Sequence, residues 1–158
     1  MKKLIIVFYL VIFYSSLAFA QNENKGTISA TFGVGGGFYK IMEIKPQFSF
    51  IFDINFISKD GLTLSLTDII SVHSNRTSQN IIFSVGYTYV RDNWNIGGTI
   101  GATPTLDDLM LVGKINGVYY FNHNIGISSL ITYRQTTGMG ASSFSMFDVF
   151  LGASTRFF

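Results

Sequence analysis

Two histidines and no cysteine bound the chemistry open to this chain. Without cysteine there is no disulfide, no thiolate metal site, no thiol nucleophile and no lipid-modified N-terminal Cys. His73 and Ser74 stand together with Asp68 close by, the residue types of a hydrolase or acyltransferase acting on lipid. No nucleophile-elbow motif surrounds Ser74, so the trio reads as a polar loop at the membrane surface, and no catalytic residue is assigned. His123 reads as a turn residue. Asp107-Asp108 reads as a solvated loop pair, since two His and scattered carboxylates make no metal constellation. Gly33, Gly35, Gly36 and Gly37 superficially suggest a phosphate loop. They lie inside a strand pattern with no helix following, and relieve crowding or permit bending instead. No cofactor is expected.

The elements that must position these residues begin with a targeting segment. Met1-Lys2-Lys3 is a short basic start, Leu4 to Tyr14 is apolar, and Ala18-Phe19-Ala20 is a small-x-small cleavage pattern. Residues 1–20 therefore read as a signal peptide, too short in its apolar run to anchor as a helix, with residues 21–158 as the mature domain. Removing Lys2 and Lys3 from the 11 basic residues leaves the mature chain neutral against its 9 acidic ones. No basic excess points to nucleic acid. Charged residues make up 13% and aromatics 16%, against about 25% charged in an ordinary globular domain. The chain is too apolar for water and has no second helical span. A closed β-barrel is the other way to satisfy the backbone inside a bilayer.

From Thr27 onward the pattern has period two. The clearest run sets Phe48, Phe50, Phe52, Ile54 and Phe56 against Gln47, Ser49, Ile51, Asp53 and Asn55. Eight such segments follow one another, an even number of near-membrane length, giving an all-β fold: an eight-stranded antiparallel up-and-down transmembrane barrel. Lys59-Asp60-Gly61, Arg91-Asp92-Asn93 and Asn122-His123-Asn124 are tight turns. The stretches around Lys40–Pro46, His73–Gln79, Thr103–Asp108 and Thr136–Ser142 read as longer loops. Short turns belong to the periplasm and longer loops to the outside, which puts both termini in the periplasm.

Outward aromatics then fall into two girdles. Phe56, Tyr89, Trp94, Tyr119, Phe121 and Phe157 lie at the turn end, and Phe38, Phe48, Tyr133 and Phe147 at the loop end. The polar face is mostly Gly, Ser, Thr and Asn rather than the Lys and Glu of a soluble barrel's exterior, so it faces the lumen. Its expected network is Asp53, Asn55, Lys114, Asn116, Arg134, Asp148 and Arg156. Arg134 and Asp148 are placed to pair near the loop end, and Asp53 and Lys114 across the lumen at mid-depth. Three features break the pattern: Asp68 and Ser129 fall on the lipid face, and Ile51 and Leu130 face inward. A bulge, or a position above the apolar band, would account for Asp68.

This architecture, closing on the alternating strand Phe147 to Phe158 with its terminal Phe157-Phe158, resembles the small eight-stranded outer-membrane barrels of the OmpX/Ail group and the OmpA transmembrane domain. The resemblance spans the mature chain and implies a place in the cell outer membrane, with membrane lipid as a partner. It also implies a C-terminal strand read by the barrel-assembly machinery. The lipid-face alternation runs through Phe157, so the recognition frame is offset by one from the terminal residue. Three functions stay open: a structural or surface-interaction protein with a plugged polar interior, a narrow channel for small solutes, and a lipid-modifying enzyme.

Overall fold

A computed structural model describes residues 26–40, 44–73, 76–104, 109–137 and 145–157. Eight strands account for nearly all of them: β1 Thr27–Lys40, β2 Ile44–Ile57, β3 Leu62–His73, β4 Arg76–Val90, β5 Trp94–Pro104, β6 Leu109–Tyr120, β7 Ile125–Thr137 and β8 Ser145–Phe157. Each pairs antiparallel with its sequence neighbour, and β8 closes onto β1. Residues 1–25, with the expected signal peptide, and Phe158 lie outside the described residues.

The register fixes the barrel's proportions. Crossing from strand to strand along paired residues leads from Thr27 through Ile57, Thr63, Gly86, Thr99, Lys114, Thr132 and Asp148 back to β1 at Gly37. Closure thus carries a stagger of ten residues between Thr27 and Gly37. With roughly 3.3 Å per residue and 4.8 Å between strands, eight strands at that stagger tilt about 40° from the axis. From Phe48 to Phe56 the chain then climbs about 20 Å along the axis, close to the roughly 25 Å apolar band of a membrane barrel.

Alternation assigns the faces. Phe32, Phe52, Ile100, Ile115 and Leu151 stand exposed on the outer wall, while Asp53, Lys114, Arg134 and Asp148 are buried inside. All the girdle aromatics point outward. The Tyr89 and Trp94 rings meet at a tilt 5.6 Å apart and those of Tyr119 and Phe121 edge-on 5.8 Å apart, both at the turn end. The turns there are built from local chemistry. Gly61 adopts a φ of 90°, and its amide reaches the Ser58 carbonyl at 3.0 Å. Asn122 Oδ1 accepts from the amides of Asn124 and Ile125, a side-chain turn.

Two sequence expectations are corrected. The stretches around Lys40–Pro46 and His73–Gln79 are not long loops: β2 already begins at Ile44 and β4 at Arg76. Ladder pairing carries these hairpins further than their mixed side chains advertise. Nor does a bulge account for Asp68, because both its ladders run in unbroken register. Asp68 faces outward in plain alternation, and Gln79 Nε2 donates to its Oδ2 at 2.8 Å.

Phe52→Arg, near the middle of the outer wall, is expected to cost about 2–4 kcal/mol of folding stability, measured by denaturant titration in lipid vesicles. Leu62→Arg, at the turn-end girdle, is expected to cost about 0–1 kcal/mol. Equal costs would contradict a depth-graded apolar belt.

Candidate functional site: the barrel interior

On β2 the inward residues run Ile57, Asn55, Asp53, Ile51, Ser49, Gln47 from the turn end to the loop end. Ile51 thus lies between two polar stretches of the inner wall. Toward the turn end, Lys114 Nζ reaches across from β6 to Asp53 Oδ1 at 2.5 Å. The same ammonium donates to Ser65 Oγ at 2.5 Å, Thr67 Oγ1 at 3.2 Å and Asn55 Oδ1 at 3.3 Å. Asp53 in turn accepts from Thr67 Oγ1 at 2.5 Å, Ser65 Oγ at 3.0 Å and Asn55 Nδ2 at 2.7 Å. Both charges are withdrawn from water, with side-chain exposures of 3% and 0%. Burial of that kind is tolerated only where partners replace the lost hydration, as the hydroxyls of β3 do here.

Nearer the loop end a second group spans β7, β8, β2 and β3. Arg134 Nη2 donates to Asp148 Oδ2 and, at 3.4 Å, to Ser71 Oγ. Asp148 Oδ1 accepts from Gln47 Nε2 at 2.7 Å and Ser49 Oγ at 3.2 Å. Ser49 Oγ also lies 2.9 Å from Ser71 Oγ, within hydrogen-bond reach.

Between and beside these groups lies a layer that sequence reasoning noticed only in part. Ile51, Ile69, Ile82, Met110, Val112, Leu130 and Phe150 form one buried cluster. Ile51 and Leu130 were visible as inward exceptions. Phe150 and Ile69 were not, although strict parity from Asp148 and from Thr67 reaches both. The interior is therefore not uniformly polar: it carries an apolar cross-section with an ion pair toward each end.

The remaining site residues are placed differently. Asn116 faces the lumen, but its Oδ1 meets no partner among the described residues. Arg156 joins neither ion pair. It packs 4.2 Å over the Tyr120 ring, and its Nε and Nη2 donate to the carbonyls of His123 and Asp92, each at 2.6 Å. One side chain of β8 thereby binds the two turns that follow β4 and β6. Ser74 lies outside the described residues, and the Asp68 carboxylate is held by Gln79 on the outer wall. Among the described residues no group of three or more His, Asp or Glu could hold a metal.

No protein-family model and no curated protein matches the sequence. Solved structures do match. Ail, the attachment invasion locus protein of Yersinia pestis, aligns with a TM-score of 0.62 at 13% identity, over 84% of this chain and 99% of that one. A de novo designed transmembrane β-barrel aligns with a TM-score of 0.60 at 13% identity, over 84% and 96%. Neisserial surface protein A aligns with a TM-score of 0.55 at 10% identity, over 82% and 95%. At such identities the likeness is one of fold. Together with the closed ladder and the apolar outer wall it defines the class: an eight-stranded antiparallel β-barrel of the transmembrane type.

Lys114→Ala leaves Asp53 buried without its counter-charge, and a loss of about 3–5 kcal/mol is expected in lipid-vesicle unfolding. The double replacement Asp53→Leu with Lys114→Met is expected to lose far less, because it removes both charges together. A double variant as unstable as the single would show that the pair's charges are not the issue.

Proposed function

We propose that this protein acts through its outer surface and ends, as a structural or surface-interaction component of the outer membrane, with its interior serving as a plug. The observation that carries this reading is the apolar cross-section of Ile51, Ile69, Ile82, Leu130 and Phe150, with a buried ion pair toward each end. An apolar constriction excludes water and ions by dewetting, and eight strands enclose a space that side chains just fill. In this reading residues 1–20 are a cleaved signal peptide, the turns face the periplasm, and the hairpins at Lys40–Ile44 and His73–Arg76 face outward. Exposed Lys40 and Lys45 lie beyond the upper girdle there. The surrounding lipid is the constant partner, and the strand ending in Phe157-Phe158 is the handle for barrel assembly.

No enzymatic role is proposed. The names of the matched proteins speak of attachment and of the surface. Of the lipid-modifying trio, Asp68 is turned to the outer wall and engaged by an amide.

Purified wild-type protein is expected to give no conductance steps in planar bilayers, while showing the heat-modifiable gel migration of a closed barrel. Phe150→Ala, which thins the apolar layer, is the variant in which leakage should first appear. Stable, reproducible steps from the wild type would overturn the plug and make the narrow channel the better reading.

A further inference from the structure

The outer wall is not evenly studded. Paired residues form rows running across β5 to β8, and one row reads Ile96, Gly117, Ser129, Leu151. The row toward the turn end reads Trp94, Tyr119, Ile127, Ala153, and the row toward the loop end Gly98, Ile115, Ile131, Val149. Same-face rows lie roughly 7 Å apart, two residues of strand. Where Gly117 meets Ser129, the wall therefore drops to the backbone between two ridges, Tyr119 with Ile127 and Ile115 with Ile131. Nothing lies within 4 Å of where a Cβ on Gly117 would stand. The resulting groove is a shallow, open depression of about 530 Å³ that takes Trp94 and Leu151 into its lining.

Its position says what covers it. The groove sits inside the apolar belt just above the turn-end girdle, where hydrocarbon chains end and headgroups begin. A slot one row wide admits an unbranched flexible chain, whereas a second barrel would bring bulky Phe and Ile side chains to it. A cation stands beside its Trp94 edge: Arg91 closes the β4–β5 turn through its amide to the Trp94 carbonyl at 2.8 Å. Its guanidinium lies 6.0 Å from the Tyr89 ring centroid, with Nε donating to Tyr89 Oη at 3.3 Å. Its remaining N–H groups suit a phosphate at the interface.

We propose that this groove is a binding site for one glycerophospholipid of the turn-side leaflet, an acyl chain lying over Gly117 and Ser129 and the phosphate at Arg91. The inference rests on the barrel's being embedded in a bilayer; a protein soluble without detergent would defeat that premise separately.

Trp94 is the single tryptophan and lines the groove. Barrel in mild detergent would be titrated with phosphatidylethanolamine carrying dibrominated acyl chains, whose bromines quench indole on contact. Saturable quenching at one lipid per barrel is expected. Gly117→Leu should weaken it about tenfold or more, and Arg91→Gln several-fold. Gly113→Leu, four residues along the same strand on open outer wall, should leave it unchanged. Ser129→Leu serves as a second filling variant should Gly117→Leu fail to show heat-modifiable migration. Quenching that never saturates, or that the filling variants do not alter, would overturn the proposal. So would a wild-type dimer that the filling variants convert to monomer, which would mark the groove as an interface between copies.

Discussion

The pairing of β8 with β1 is the interaction on which everything else depends. In hydrocarbon an unpaired strand edge leaves a row of amides and carbonyls with nothing to bond, each costing several kcal/mol. Closure removes both edges at once and leaves no freedom in diameter, since strand number and stagger together set the tilt and the bore. It also demands close backbone approach at the seam. A Cβ at Gly35 or Gly37 would collide with the backbone of β8 at Val149 and Phe147. The glycine-rich stretch of β1 is thus a requirement of the closing contact.

A fixed narrow bore dictates the interior. Side chains from opposite walls must meet, so a charge on one wall is answered from the other, as Lys114 on β6 answers Asp53 on β2. Arg134 and Asp148 sit on adjacent strands, yet their group also draws in Gln47, Ser49 and Ser71 from across the lumen. The apolar layer occupies the cross-section that hydroxyls and amides do not fill. The outer wall obeys a looser rule. Lipid accepts any apolar shape, which leaves Gly117 free to be small without a packing penalty inside the protein.

Period two made the faces and strand count legible, because every inward–outward assignment follows once one residue is placed. Asp53 and Lys114 were readable as inward from parity alone. Strand ends were not: Ile44-Lys45-Pro46 and Arg76 to Gln79 lack clean alternation and join strands through backbone bonds that do not depend on side-chain polarity. The apolar layer was hidden for a related reason. Inward isoleucines among outward isoleucines look like noise in a polarity pattern, and only the closed cross-section shows that Ile51, Ile69 and Ile82 lie on three adjacent strands. The role of Arg156 depends on carbonyl positions in two distant turns, which no local pattern encodes.

That last contact gives the chain a built-in order. Arg156 lies two residues before the end of the sequence, yet it fastens carbonyls at Asp92 and His123. Those two turns belong to hairpins that precede β8 in the chain. Their lock is carried by the final strand, the same strand that seals the seam. A barrel short of its last strand is therefore open at the wall and slack at the base together. Completion is registered at both places by a single event, the arrival of β8.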